Sequence, residues 1–286
     1  MYAPTFAAPQ SVDEAVRMLG ADGAKPLSGG TDLIVQLKSG RNRPAAVVDL
    51  KKIPGLVGVE ETSDGFVIGA ATAGAQLGEH AGLVAAYPGI VEGAELIGST
   101  QVQGRASLAG NLCNASPAAD SIPCLAAAGA IAVVVGPNGE REMKVSEVPA
   151  GPGRTNLAKG EFIKCFKLKK PTANSSDAYL RFIPRTEMDI AVVGAGVNIT
   201  RDGSSGPIKS ATVWLGAVAP TIVEVDASCI VGTSLDDAAL AKLDAAAQSV
   251  CNPIDDKRGT VEYRTKVAGV LARRAATIAF KRAGER

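Results

Sequence analysis

Residues 25–40 read "KPLSGGTDLIVQLKSG", a glycine pair, then a Thr-Asp pair, then at once an amphipathic run. Glycines permit positive φ and close approach of main chain to a ligand, and a helix start presents free N–H groups carrying partial positive charge. Together these suit a phosphate. The spacing is neither GxGxxG nor GxxxxGK[ST], so it is not a dinucleotide or P-loop fingerprint. Taken alone, the stretch also fits a tight turn closed by an Asp or Thr cap.

Outward from this loop the pattern is α/β. In "SVDEAVRML" (residues 11–19) Ser11 and Glu14 form a capping box, and Val12, Ala15, Val16 and Leu19 share one face, which predicts a short helix. A second helix is expected over about 33–37, then a strand in "AAVVDL" (45–50), giving β-α-β-α-β. From Gly65 the pattern changes. "GFVIGA" (65–70) reads as a strand and "AGLVAAYPGIVEGAELIG" (81–98) as a helical region broken near Pro88. "AIAVVV" and "REMKV" flank the turn "GPNGE" as a hairpin, and "EFIKCFKL" (161–168) closes the block as a strand.

The polar stretch "KKPTANSSD" (169–177) marks the best domain boundary. Beyond it, "DIAVVGAGVNIT" and "ATVWLGAVA" are strands around the turn "RDGSSGP", and two helices follow, "SLDDAALAKLDAAAQSV" and "VEYRTKVAGVLARRAATIAF". Three units are expected: 1–55, 56–172 and a C-terminal α+β domain over 178–286.

Composition removes several function classes. The chain has 286 residues, 46% of them hydrophobic, enough apolar surface for large cores. Lys plus Arg number 30 against 29 acidic residues, a net charge of +1 without the basic block that nucleic-acid binding needs. Cys113, Cys124, Cys165, Cys229 and Cys251 form no CxxC pair and are odd in number, so they read as reduced thiols of a cytoplasmic protein. With His80 as the one histidine, ligands at metal spacing are lacking, and His80 is expected to be buried or capping. The opening "MYAPTFAAPQ" has neither a basic n-region nor a long apolar core, so no signal peptide is expected. The uncharged run Ser121–Gly136 falls short of the ~20 residues of a membrane span and reads as a buried helix leading into a strand. No acid pair at an identifiable spacing and no Ser-His-Asp order stands out, so no residue is assigned a catalytic role.

A second loop gives the first its meaning. "STQVQGRASLAGNLCNASPAADSIP" (99–123) collects Gly104, Gly110, asparagines, serines and small side chains into what reads as one long irregular segment. Such a loop inside a domain is unusual and often functional. Two facing nests of main-chain N–H groups would hold a pyrophosphate without Lys or Arg.

The pair "SGGTDLIVQLKSG" and "STQVQGRASLAGNLCNASPAAD" resembles the FAD-binding loops of the medium subunit of molybdenum hydroxylases, the family of xanthine dehydrogenase and carbon monoxide dehydrogenase. "RFIPRTEMDIAVVGAGV" (181–197) resembles the opening of that family's C-terminal domain and "VEYRTKVAGVLARRA" (261–275) its terminal helix, so the match runs through the whole chain in order.

The resemblance implies an α+β chain: a two-subdomain FAD-binding fold of the vanillyl-alcohol oxidase type, followed by a C-terminal domain of antiparallel sheet plus helices. It implies a flavoprotein subunit whose FAD takes electrons from the 2Fe-2S clusters of a small subunit and passes them to an external acceptor. A molybdenum cofactor on a large subunit would supply them, in a complex of three different chains, doubled into a dimer of heterotrimers. A self-sufficient FAD oxidoreductase of the same fold and a flavin-free assembly subunit are the alternatives. One branch of the family carries a four-cysteine iron-sulfur insertion in this subunit, for which this sequence has no cysteines at suitable spacing.

Carried over residue by residue, Leu27, Ser28, Gly29, Gly30, Thr31, Asp32 and Leu33 match the family's pyrophosphate cradle. Ser107 and Asn111 match the serine and asparagine that bond the same ligand, and Thr100, Gly104 and Gly110 of the same loop complete the cofactor contacts. Asp120 matches a carboxylate near the FAD ribose, Thr72 in "GAATAGAQL" a flavin-contacting turn, and Ile163 a backbone contact to the adenine. Ile97 stands where some relatives place an aromatic against the isoalloxazine ring, and Arg181 where a lysine is usual. Ala109 replaces a usual glycine, which requires φ below zero there. By their residue types alone, Asp120 also fits an Asx cap, Arg181 a solvated strand position, and Ser107 and Asn111 partners of loop backbone.

Overall fold

Ser11 Oγ accepts a hydrogen bond from Glu14 N–H (3.2 Å), while the Glu14 carboxylate reaches back to Gln10 N–H (3.0 Å). This reciprocal cap starts the first helix in the computed structural model, which describes residues 3–286; the first two residues of the unit expected over 1–55 lie outside the described residues. The N-terminal elements are β1 (Thr5–Ala7), α1 (Val12–Leu19), β2 (Ala24–Leu27), α2 (Leu33–Lys38) and β3 (Ala46–Asp49), the expected alternation. The three strands are parallel in the order β1-β3-β2. Ala15 and Leu19 of α1 bury against Val48, Leu50 and Ile53.

A five-stranded antiparallel sheet follows, in the order β4-β5-β10-β6-β7. Its strands are β4 (Val59–Thr62), β5 (Gly65–Gly69), β6 (Ile131–Gly136), β7 (Gly139–Lys144) and β10 (Phe162–Lys169); β8 (Pro149–Gly151) and β9 (Arg154–Thr155) make a separate small ribbon. The hairpin expected around "GPNGE" is present, with Gly136 opposite Gly139. Six helices cover the sheet: α3 (Gly74–Glu79), α4 (Ala81–Ala86), α5 (Pro88–Glu95), α6 (Thr100–Gln103), α7 (Leu108–Cys113) and α8 (Ser121–Ala127). Phe166, Ile68, Leu77, Leu83, Ile90, Leu108 and Leu125 form the core between them. The break near Pro88 is real, because proline is tolerated in the first turn of α5 but would break the interior of a continuous helix. His80 is a cap: its Nδ1 accepts from Leu83 N–H (3.0 Å) at the start of α4.

Residues 99–123 differ from the expected irregular segment. They contain α6, α7 and the start of α8. The Ser107 cap and the buried Leu108, Ala109 and Leu112 make α7, a helix too short to print a full apolar period on the sequence. Ala109 lies inside this helix, where φ is negative, so the replacement of glycine is tolerated.

The C-terminal part is an antiparallel meander β11-β12-β13-β14, formed by β11 (Ser175–Phe182), β12 (Val193–Arg201), β13 (Ile208–Gly216) and β14 (Val223–Val225), with α9 (Asp237–Ser249) and α10 (Val261–Gly284). Ala268, Ala272, Ala275 and Ala279 recur every three to four residues and are fully buried, so α10 lies close against Val193, Ala195 and Val197. Strand β11 begins at Ser175, inside the stretch read as a polar linker. Ser175, Ser176 and Asp177 are buried there, because the Asp177 carboxylate accepts the N–H groups of Gly89 (3.0 Å) and Ile90 (3.2 Å) at the start of α5. Tyr179 joins the core of the preceding helices, so β11 ties the two halves of the chain together.

Among the described residues no helix is long and apolar enough to cross a membrane, and all five cysteines are free. Burial pushes the Cys113 thiol up to about 12 and Cys124 well above its usual range, which disfavours the thiolate at both.

Candidate functional site

Three segments far apart in sequence meet at one place. Ser28 Oγ lies 2.7 Å from Ser107 Oγ, and Ser107 Oγ also accepts from Gly110 N–H (3.1 Å) as the cap of α7. A Cβ on Gly29 would fall 1.8 Å from the Arg105 carbonyl oxygen, so only glycine lets the first loop lie flat on the second. The third segment is the turn after β5, where Gly74 N–H donates to the Ala106 carbonyl (2.8 Å).

The first loop is arranged to offer main chain. Leu27 ends β2, and Gly30 sits at φ +78°, in the region glycine favours; a Cβ there would meet Ile34 Cδ1 at 2.9 Å and Leu27 Cδ1 at 3.0 Å. Among the described residues no acceptor is found for the N–H groups of Gly29, Gly30, Thr31 and Asp32. Asp32 occupies the cap position before Leu33 but its side chain makes no cap bond, so the tight turn closed by a side-chain cap is not formed. Lys51 Nζ donates to the Ser28 carbonyl (2.8 Å) and pairs with Asp49 (2.6 Å), pinning the entrance of the loop.

The second loop supplies side chains. Asn111 Oδ1 accepts from Ser121 Oγ (2.8 Å) and Ser121 N–H (3.3 Å), fixing the amide between α7 and α8. Gly104 ends α6, which begins with Thr100. The Thr72 hydroxyl is spent internally: it donates to the Gly69 carbonyl (2.7 Å) and accepts from Gly58 N–H (2.9 Å), so a ligand would meet this turn through main chain. Ile163 is buried in β10 opposite Val134, beside an irregularity in register, and the next carbonyl, of Lys164, accepts from Ala70 N–H (3.0 Å).

An open cleft of about 280 Å³ lies at the far end of α6, lined by residues including Leu96, Gly98, Thr100, Gln103, Arg181 and Glu187. Ile97 is not in its wall, although both neighbours are. Arg181 is not a solvated strand residue: its side chain is 5% exposed and Nη1 donates to Asp120 Oδ2 at 2.8 Å. Asp120 caps no helix; its other oxygen accepts from Tyr179 OH (3.1 Å). Both carboxylate oxygens therefore have a partner inside the chain, each with a lone pair to spare. Burial pushes Asp120 up to about 6 against the opposing effect of Arg181 and Tyr179, and burial with the neighbouring carboxylate keeps the proton on the Tyr179 phenol.

Tyr179 was not singled out by the sequence. Its signal lies in "DAYLRF" (177–182), where Asp177, Tyr179 and Arg181 alternate on one face of a strand, a polar face in a segment otherwise apolar. Among the described residues no group of three His, Cys, Asp or Glu side chains is placed to hold a metal ion.

Residues 2–168 match the family described as the FAD binding domain in molybdopterin dehydrogenase, and residues 178–279 match the CO dehydrogenase flavoprotein C-terminal domain. The chain is 35% identical over 280 residues to the carbon monoxide dehydrogenase medium chain of Afipia carboxidovorans, covering 96% of each. It is 31% identical to the corresponding chain of Hydrogenophaga pseudoflava, covering 99% of each. Among solved structures it superposes on a chain of reconstituted CO dehydrogenase from Oligotropha carboxidovorans with a TM-score of 0.92 at 33% identity, covering 98% of both chains. A chain of quinoline 2-oxidoreductase from Pseudomonas putida 86 shares the fold, with a TM-score of 0.89 at 22% identity.

Proposed function

The chain belongs to the family of FAD-binding medium subunits of molybdopterin hydroxylases, and we propose that its two loops hold FAD for electron transfer within an oxidoreductase complex. The observation that carries this reading is the junction of Ser28 with Ser107, sealed by Gly29 against Arg105, beside a row of main-chain N–H groups that find no acceptor among the described residues. A pyrophosphate has the acceptor oxygens these donors lack.

In this reading the main chain of Leu27–Leu33 and the groups of Thr100, Gly104, Ser107, Gly110 and Asn111 bind the cofactor. Thr72 and Ile163 contribute main chain, and Ile97 and Arg181 belong to the end that carries the ring. When bound, FAD supplies the redox chemistry, and the protein supplies position and electrostatics. Ser107 orients the second loop by capping α7 while holding Ser28, and Lys51 anchors the Ser28 carbonyl by donating to it. No residue of this chain is assigned a proton-transfer role.

The complex would comprise this chain, a small subunit with 2Fe-2S clusters and a large subunit with the molybdenum cofactor, as a dimer of heterotrimers in the cytoplasm. Electrons would run from the molybdenum site through the clusters to FAD and on to an external acceptor, with substrate chemistry confined to the large subunit. A division at 1–55, 56–172 and 178–286 accompanies the proposal: two parts of the cofactor site and a C-terminal domain.

The test is direct. The purified chain should be yellow, and its chromophore, released by heat, should run as FAD at about one per chain; a colourless protein that takes up no added FAD would sink the reading. Co-expressed with its small and large neighbours, it should elute in a complex, and a lone monomer under those conditions would remove the subunit assignment.

A further inference from the structure

Arg181 has more hydrogen-bonding capacity than the chain uses. Its side chain is 5% exposed, Nη1 is bonded to Asp120, and among the described residues no partner takes Nε or Nη2. Arg181 belongs to the wall of the cleft, shared with Thr100, Gln103 and the carboxylates Glu95 and Glu187. A buried guanidinium with free donors at a cleft points to a ligand bearing acceptor oxygens or developing negative charge.

What fixes the guanidinium is a second line of residues. Tyr179 OH holds Asp120 Oδ1, Arg181 holds Oδ2, and the carboxylate cannot swing away from either without losing a bond. Tyr179 is in turn held by its N–H, which donates to Glu92 Oε2 (2.9 Å). Its phenol fits because position 194 is glycine: a Cβ there would lie 2.5 Å from the hydroxyl. Arg181 and Tyr179 alternate along β11, so the strand itself sets the spacing of the two groups that grip Asp120.

We propose that Asp120 and Tyr179 are positioning residues that lock Arg181 as an oriented cation in the cleft, where it favours the more negatively charged, reduced form of the flavin. The proposal rests on the reading of the site as an FAD site. It gives Asp120 a part in the charge balance of the ring end. Asp120 offsets part of the guanidinium charge, so the pair, rather than Arg181 alone, sets how strongly the reduced form is preferred. An arginine held in this way differs from a lysine, whose ammonium is a mobile point charge with no planar fork to orient.

The experiment uses the FAD-loaded chain and its D120N, Y179F, R181K and R181M variants, with bound FAD measured by absorbance and the midpoint potential by equilibration with redox dyes at one pH. D120N, which keeps the shape and removes the offsetting charge, should favour the reduced cofactor by about tenfold, a rise of ~30 mV for a two-electron couple. R181M should shift it by about tenfold the other way, R181K should recover part of that loss, and Y179F should lower the potential by less than R181M. Potentials that stay at the wild-type value in both D120N and R181M, with FAD bound in full, would overturn the inference and leave the FAD reading standing. A wild-type chain that binds no FAD would overturn both. A variant that fails to fold leaves the decision to the other member of the D120N and R181M pair, whose expected shifts have opposite signs.

Discussion

Ser28 Oγ and Ser107 Oγ stand 2.7 Å apart although 79 positions separate the two residues in number. The contact joins the parallel three-stranded unit to the helices on the five-stranded sheet, and it does so at the point where both loops present main chain. A single hydroxyl pair of this kind contributes about 0.5–1.5 kcal/mol, so the junction cannot rest on it alone. The closer restraint is steric: Gly29 against Arg105 leaves no space for a methyl group. The loops are held in register by fit, and the serines set the fine geometry.

Gly30→Val tests the cradle. At φ +78° a β-branched residue is strained, and the added atoms would meet Ile34 and Leu27. We expect FAD affinity to fall at least tenfold, about 1.4 kcal/mol, while α10 and the β11–β14 meander keep their hydrogen-exchange protection. Purification of the variant with a full complement of flavin would show that the first loop is not the pyrophosphate site.

Ser107→Ala removes two bonds at once, the cap on Gly110 N–H and the link to Ser28. Loss of a helix N-cap costs about 0.5–2 kcal/mol, so a matching drop in unfolding free energy is expected in the FAD-free protein. The FAD-loaded form should lose more than the free form, because the same hydroxyl is proposed to serve the cofactor. Equal losses in the two forms would confine Ser107 to a structural role.

Arg264 is the buried cation of the C-terminal part, 4% exposed, donating to the Val192 carbonyl (2.7 Å) and to Asp256 (2.7 Å). Truncation to methionine leaves the Val192 carbonyl without its donor and takes one partner from Asp256, which keeps Arg258. Loss of a hydrogen bond to a charged group costs about 1.5–3 kcal/mol, which urea unfolding of the variant would register. A loss under about 1 kcal/mol would mean that water replaces the guanidinium without penalty.

The sequence made the N-terminal alternation and the C-terminal meander readable because their apolar periods run long enough to be distinguished. Val12, Ala15, Val16 and Leu19 print a helix, and the alternating core positions of β12 print a strand. Helix α7 escaped notice because six residues hold less than two turns, and small side chains blur its apolar face. Asp177 escaped notice for another reason. A carboxylate beside two serines reads as linker, and only the distant N–H groups of Gly89 and Ile90 turn it into a buried strand residue. The site shows the same division. Ser28, Gly29, Gly30 and Ser107 stand out by residue type, whereas the grip of Tyr179 on Asp120 depends on which residues the strand and α8 bring together.

Asp177 should give the fold an identifiable pH dependence. Burial raises its pKa from 3.8 to about 7; the Gly89 and Ile90 N–H groups and Arg286 oppose the shift, and Glu92 adds to it. The folded state therefore holds this proton where the unfolded chain has lost it, and between about pH 4 and pH 7 the native form binds more protons. The contribution of Asp177 to stability is greatest below the unfolded value, declines as pH rises through this window, and is fully lost above about 7. Asp120, raised to about 6, acts in the same direction, while Asp189, held down to about 2 by its bonds to Arg258 and the Ile190 N–H, changes only in more acid solution. Asp177→Asn removes the titrating group but keeps one acceptor for the start of α5. Urea unfolding at pH 5 and pH 8 should show a larger loss of stability in the wild type than in this variant, and parallel losses in the two proteins would place the pH dependence elsewhere.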